Sequence, residues 1–352
     1  MPEPSPDTLN ALHQERILLT GAGGSIGGAL ALRLAALGPK ELVLLDAAES
    51  RLLALQHALA AELDQATLGS TTTTLGSILD RNLLDEIFDR HRPTLVFHAA
   101  AYKHVPLLEE QPFAAIENNI FGTQSVVSAA QSHGARVVLL STDKAVEPAS
   151  ILGATKRVAE LIVLASDGTA LRLGNVLASS GSVVETFAHQ ITTGGPITVT
   201  AAEARRYFLT LEEAANLLIT AAADTQRSTL LAPALTQQHS IADLARFLVR
   251  ELSPQRDIAI RFTEPRPGDK ESEKLWGAEE TVDSQTGSGL LKISSQHLDA
   301  HLLGRHLEQS KGALYARDLV TALEALRSVV PSFTPSSTLL ALTERSTARV
   351  TL

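Results

Sequence analysis

Three glycines stand where side chains would obstruct an anion. Gly21, Gly24 and Gly27 are spaced G-x-x-G-x-x-G, and Ser25 and Ile26 complete the segment. They follow the apolar run 16–20 and open the apolar periodic segment 29–37. A strand that turns sharply into a helix aims backbone N–H groups at a pyrophosphate, which the helix N-terminus favours. About twenty residues on, the apolar run 41–45 ends at Asp46. A carboxylate there accepts from a ribose 2′-hydroxyl and would repel a 2′-phosphate. The combination predicts a nicotinamide dinucleotide site, for NAD in preference to NADP. The plainer alternative is a glycine-rich turn that binds another nucleotide, or none. Arg51 is near enough to bear on the choice of cofactor, and is read as a solvated helix residue.

A second group follows the run 136–141. Asp143 and Lys144 come directly after it, at the carboxyl edge where ligands of parallel sheets sit. A carboxylic acid beside a lysine suits general acid–base chemistry if the surroundings move their pKa values apart. The same pair also fits an exposed strand-end ion pair of little energetic consequence. Lys103 and His104 lie just beyond the run 95–98 and face the same edge. Arg206 and Arg266 could clamp phosphate, which guanidinium pairs bidentately, or could be solvated. His98 is read as packed, and the histidines have no ligand spacing for a metal. Asn119 is a candidate support for the site's backbone. Glu271 and Glu273, after a Pro-Gly turn, receive no firm role.

The elements that must position these residues alternate. Strands are expected at 16–20, 41–45, 71–75, 95–98, 136–141 and 171–173. Helices are expected at 29–37, 52–63, 81–90, 113–133 and 153–166. Alternation of this kind implies an α/β fold, a doubly wound parallel (Rossmann) sheet. After Asn175 the rhythm breaks. Helices are expected at 211–222, 241–251 and 314–329, and a strand at 258–262. The expected organisation is a disordered arm (1–15), a dinucleotide domain (16–175, with 205–250 packed on it), a smaller substrate lobe (176–204 and 251–310), and a C-terminal helix and mobile tail (311–352).

A net charge of −9 argues against non-specific nucleic-acid binding. The chain has no cysteine, hence no disulfide or thiolate chemistry, which fits a reducing compartment. No apolar stretch approaches the ~20 residues needed to cross a bilayer. No signal peptide is evident, and a cytoplasmic protein without membrane contact is expected.

The glycine spacing resembles that of extended short-chain dehydrogenase/reductases. The segment 97–109, FHAAAYKHVPLLE, is similar to the fourth-strand segment of nucleotide-sugar 4,6-dehydratases of the CapD-like polysaccharide-biosynthesis group. NNIFGT (118–123), STDKAVEP (141–148), GATKR (153–157), RLGNVL (172–177), GGPITVT (194–200), RYF (206–208) and RPGDK (266–270) follow in the group's order. Many members carry an N-terminal membrane-spanning region, and this chain looks like a soluble, catalytic-domain form.

The resemblance implies an enzyme that oxidises a nucleotide sugar at C4 with NAD, eliminates water across C5–C6 and returns the hydride to C6. UDP-N-acetylglucosamine is the implied substrate. It implies Asp143 as acid and Lys144 as base, with Thr142 donating to the C4 oxygen. Lys156 would bind the nicotinamide ribose, Ala99 and Ala100 would contact the cofactor, and Asn175 would contact the sugar diphosphate. It also implies a homo-oligomer, with the helix bearing Ala154, Ala159 and Leu161 at a dimer interface. One position departs from the wider superfamily. Four residues before Lys156, where a tyrosine acts as base, stands Leu152. Membrane-anchored members often have methionine there, and leucine nearly conserves its volume. An epimerase or ketoreductase on the same scaffold, or a non-catalytic binding protein, remains open on these residues.

Overall fold

The computed structural model describes residues 3–64, 68–224, 226–285, 289–295 and 299–350. Its centre is a nine-stranded sheet. The strands are β1 (Arg16–Thr20), β2 (Glu41–Asp46), β3 (Thr71–Leu75), β4 (Leu95–His98), β5 (Arg136–Thr142), β6 (Thr169–Leu173), β7 (Thr229–Pro233), β8 (Thr281–Gln285) and β9 (Leu290–Ser294). The spatial order is β8-β9-β7-β6-β5-β4-β1-β2-β3. Strands β1 to β7 pair in parallel, and β9 runs antiparallel to β7 and β8. The inner strands are apolar on both faces, as helices on each side require. Ile17, Leu18 and Leu19 are buried together, as are Leu42 to Leu45.

Helices Ser25–Leu37, Glu49–Glu62 and Leu211–Ala222 contribute Leu30, Leu34, Leu55, Leu59 and Leu217 to one core. Helices Arg81–His91, Thr123–Ser132 and Ile151–Ala165 contribute Leu84, Ile87, Val126 and Val158 to the other. The chain leaves β1 toward β2 on one side and returns to β4 on the other. The carboxyl ends of β1 and β4 therefore flank a topological switch point, where such folds bind ligands.

A smaller lobe stands over that edge. Helices Val183–Thr192 and Ile241–Leu252 cover the parallel pair Ile197–Thr200 and Ile260–Thr263. Phe187, Ile191, Val199, Ile241 and Ala245 form its core.

Several expectations need correction. The arm is not structureless: Pro6–Leu12 is a helix, capped by Ser5 and anchored by buried Leu12. The expected helix 314–329 is two helices, Ala300–Ala316 and Leu319–Val329, because Arg317 takes a left-handed conformation and Asp318 caps the second. The tail forms the helix Ser337–Val350, docked by buried Phe333 and Leu339. The segments Thr281–Gln285 and Leu290–Ser294 belong to the central sheet, and 241–252 to the small lobe. The strand expected at 258–262 is Ile260–Thr263. The long helix at 113–133 is interrupted by a π-helical turn, Ile116–Gly122.

The expected dimer face is also occupied from within. Helix Ile151–Ala165 shares a core with Leu303, Leu307, Leu314, Leu323 and Leu326 of the C-terminal helices. Ala154 and Ala159 are fully buried and Leu161 nearly so. These side chains have no surface left to offer a second copy. Among the described residues, no helix is long and apolar enough to cross a membrane.

Candidate active site

A cleft of about 840 Å³ runs between the carboxyl edge of the sheet and the small lobe. It gathers residues from distant parts of the chain. Gly21, Gly24, Ser25, Ile26, Gly27 and Ala99 line one end. Thr142, Lys144, Leu152, Lys156 and Asn175 line the floor. Lys103, His104, Arg206 and Arg266 also contribute to the wall. Asp46, Ala100 and Asp143 lie behind the lining.

At the glycine end the turn is set by backbone. Gly21 has φ +74°, and a Cβ there would stand 2.5 Å from the Ala100 nitrogen. Ala100 therefore supports the turn from beneath instead of facing the cleft. A Cβ on Gly27 would overlap the Gly21 carbonyl oxygen. Asp46 braces the same turn, accepting from the N–H of Gly23 at 2.8 Å and of Ala48 at 2.8 Å. Each carboxylate oxygen retains a second lone pair for a ribose hydroxyl.

Ser25 opens the helix Ser25–Leu37, and its Oγ accepts from the Ser180 N–H at 2.9 Å. That bond ties the glycine turn to the segment leading into the small lobe. Arg51 and Lys103 add positive charge here, although Arg51 is otherwise exposed, and the His104 ring stands beside them. Burial and the neighbouring cations depress the Lys103 and His104 pKa values. Open helical N–H groups beside cations suit an anionic ligand, so these residues fit a bound dinucleotide.

The floor is built from charge. Thr142 Oγ1 donates to Asp143 Oδ1 at 3.0 Å, and Lys144 Nζ donates to the same oxygen at 3.0 Å. Threonine, aspartate and lysine thus form one hydrogen-bonded chain with both ends in the cleft and the carboxyl group buried between them. Lys144 Nζ also donates to Asn175 Oδ1 at 3.2 Å and lies 3.5 Å from Glu273 Oε1. Burial raises the Asp143 pKa, with Glu273 adding to the rise, although Lys144 opposes it. Burial works against the Lys144 charge, but the Asp143 and Glu273 carboxylates outweigh it and raise its pKa.

Lys156 donates to the Leu140 carbonyl at 2.7 Å, and burial brings its pKa down to about 8. Leu152 lies one turn before it on the same helix face and is buried. Asn119 accepts from the Tyr102 N–H at 2.8 Å and donates to the Tyr102 carbonyl at 3.1 Å. It supports the cleft's backbone from the π-helical turn, an irregularity frequent at functional sites. His98 is packed as expected: it bonds Thr20 and Thr123, and burial holds its pKa near 3.

The two candidate phosphate clamps line the cleft and also have partners within the protein. Arg206 spends most of its donors on the carbonyls of Arg205, Lys270 and Glu271. It pins one wall of the cleft to another. Arg266 is paired with Asp269 at 2.8 Å and is half exposed.

A buried network escaped the motif reading. Arg172, fully buried on β6, bonds Glu160 at 2.9 Å through both Nε and Nη2. It also bonds Glu280 at 2.6 and 2.9 Å and the Leu275 carbonyl at 3.1 Å. Ser141 donates to Glu160 at 2.6 Å. Burial opposes the Glu160 charge, but Arg172 overcomes it and brings the pKa to about 2. The available signal was a charge inside the apolar run Leu171-Arg172-Leu173, which burial obliges to find partners.

Comparison with known proteins agrees with this architecture. The family described as polysaccharide biosynthesis protein matches residues 17–294. The chain is 38% identical over 298 residues to the capsular polysaccharide biosynthesis protein CapD of Staphylococcus aureus, covering 81% of this chain and 49% of CapD. It thus spans about half the length of that relative. It is 30% identical over 316 residues to a UDP-glucose 4-epimerase of Rickettsia typhi, covering 86% of this chain and 89% of the epimerase. The crystal structure of Pen from Bacillus thuringiensis superposes with a TM-score of 0.74 at 27% identity, over 81% of this chain and 88% of Pen. With a match across most of its length, the chain belongs to the polysaccharide biosynthesis protein family.

Proposed function

We propose that the chain is an NAD-dependent nucleotide-sugar 4,6-dehydratase that converts UDP-N-acetylglucosamine to its 4-keto-6-deoxy product. The observation that carries this reading is the Thr142–Asp143–Lys144 chain, which crosses the cleft floor beside the glycine turn. When bound, the dinucleotide supplies a reversible acceptor for the C4 hydride.

The protein's own residues move protons. Oxidation at C4 acidifies the C5 proton, which Lys144 Nζ takes. The C6 hydroxyl leaves as water with a proton from Asp143, delivered through Thr142 Oγ1. Lys144 can act as a base by first passing its proton to Asp143, 3.0 Å away. Burial favours that neutral pair. The proton later returns from Lys144 to C5. The proton released from the C4 hydroxyl replaces the one lost from Asp143, so both groups end as they began.

No phenol stands at Leu152, so the C4 proton leaves through Thr142 or a water held between Thr142 and Lys156. The low pKa of Lys156 suits that role. Asp46 accepts from the adenosine ribose, which favours NAD over NADP. Lys103, His104 and Asn175 face the sugar diphosphate.

A second reading is epimerisation. It is favoured by Leu152 and by the likeness to a UDP-glucose 4-epimerase. Incubation with NAD and a panel of UDP-, dTDP- and GDP-sugars, followed by mass spectrometry, separates the two. Dehydration removes the mass of one water without net NADH. Unchanged mass with a new isomer supports epimerisation, and the absence of product from every sugar refutes both.

A further inference from the structure

Glu273 is almost fully buried, and its carboxylate faces two ammonium groups, one on its own turn and one from the cleft floor. Its Oε1 lies 3.5 Å from Lys144 Nζ, and its Oε2 lies 3.1 Å from Lys270 Nζ. Lys270 is itself fixed by donating to the Val146 carbonyl at 2.6 Å. The turn that carries Glu273 is held by Arg172, which bonds the Leu275 carbonyl two residues later. The second carboxylate at the ammonium is therefore built into the fold.

We propose that Glu273 is a positioning residue of the reaction centre: with Asp143 it grips the Lys144 ammonium and sets how many protons the Asp143–Lys144 pair holds. The proposal rests on the dehydratase reading.

The groups facing this pair come from three elements. Asp143 and Lys144 follow β5. Glu273 and Lys270 lie on the turn after Arg266. Arg206 projects from the short strand Arg205–Arg206. Glu273 has three cations near it, Lys144, Lys270 and Arg206, and their attraction overcomes burial and keeps its pKa below the ordinary range. Asp143 has Lys144 alone, is more deeply buried, and feels the Glu273 charge. Two carboxylates in such unequal surroundings separate their protonation. Glu273 stays charged, and its charge retains a proton on its neighbours. Asp143, the more deeply buried carboxyl with a single cation beside it, holds that proton.

Removing the charge must release the proton at lower pH. Glu273→Gln keeps the shape of the side chain. Both limbs of the kcat/KM profile should move to lower pH, by about one to three units for a charge at this distance. The pH midpoint for acylation of Lys144 by an amine reagent, read by peptide mass spectrometry, should fall with them. Glu273→Asp retains the charge and should keep the midpoints near wild type. Lys270→Met removes a cation and should move them upward. It supplies the opposite sign should Glu273→Gln fold poorly.

A purely structural role would lower activity without moving the midpoints. Unmoved midpoints in both Glu273→Gln and Lys270→Met overturn the proposal. The acylation midpoint needs no turnover. A shifted midpoint in a chain that dehydrates no nucleotide sugar supports the electrostatic role of Glu273 and removes only the assigned reaction.

Discussion

At the glycine end of the cleft the turn is shaped chiefly by backbone, with Ala100 beneath it and Asp46 as its brace. At the floor the groups are polar and charged side chains drawn from separate stretches of chain. Gly21, Gly24 and Gly27 need a strand before them, a helix after and little else. Asp143 and Lys144 need Asn175, Glu273 and Lys270, and Lys156 sits beside a second network of Glu160, Arg172 and Glu280. A backbone site fails by steric obstruction, and a charge site fails by losing a partner. The two ends should therefore respond differently to substitution.

Asp143→Asn should cut turnover by about 10²–10⁴-fold, the usual worth of a positioned acid or base. Dinucleotide affinity, measured by calorimetry, should stay near wild type. A variant that turned over almost as fast would remove Asp143 from the chemistry.

Arg172→Met leaves Glu160 and Glu280 with Arg157 as their remaining cation and should cost about 3–5 kcal/mol in urea unfolding, as breaking a buried ion pair does. A loss below about 1 kcal/mol would place the network among energetically minor pairs.

Acid should act on two buried groups, Glu160 and His98. Glu160 ordinarily titrates near 4.5 and is held near 2, so its stabilisation is present above 4.5 and is lost as pH falls toward 2. His98 ordinarily titrates near 6.5 and is held near 3 as the neutral ring. The unfolded chain then binds the extra proton below 6.5, and stability again falls with pH. Melting temperature should decline as pH drops from 6.5 to 4.5 and more steeply below. A level curve over the first interval would contradict the buried neutral histidine.

Gly27→Ala tests the other end. The added methyl meets the Gly21 carbonyl, and the turn must open. Overpacking of this kind costs about 1–3 kcal/mol, and calorimetric titration should show the dinucleotide lost while the floor's hydrogen bonds survive. Retained affinity would mean that the turn is not the cofactor's cradle. Leu152→Met should be the mildest, below about 1.5 kcal/mol and with turnover within a few-fold of wild type. A large loss would mean that the position is tuned for leucine.

The same contrast decided what the sequence could reveal. Strands β1 to β6, the glycine turn and Asp46 were legible because each rests on local periodicity or on a turn that only glycine permits. Strand β7 and the antiparallel pair β8 and β9 were not, since β7 ends on a proline and β8 reads Thr-Val-Asp-Ser-Gln, a mostly polar run. The terminal helices were obscured by polar composition, and buried anchors such as Leu12 and Leu339 fix them to the body. On the floor, Thr142, Asp143 and Lys144 were readable as a motif. Glu273 and Arg172 were readable only as residues that burial would force to find a partner. Arg206 was readable as a cleft residue, but its bonds to backbone carbonyls were not, because a guanidinium that suits phosphate suits carbonyls equally well.

The central claim is that the hydride taken from C4 returns to C6 while water leaves. UDP-N-acetylglucosamine deuterated at C4, incubated with the protein and NAD and analysed by mass spectrometry and NMR, tests it directly. The account predicts a product lighter by one water, carrying the deuterium at C6, with no accumulation of reduced cofactor. Deuterium found back at C4 in a product of unchanged mass, or left on the dinucleotide, would contradict it.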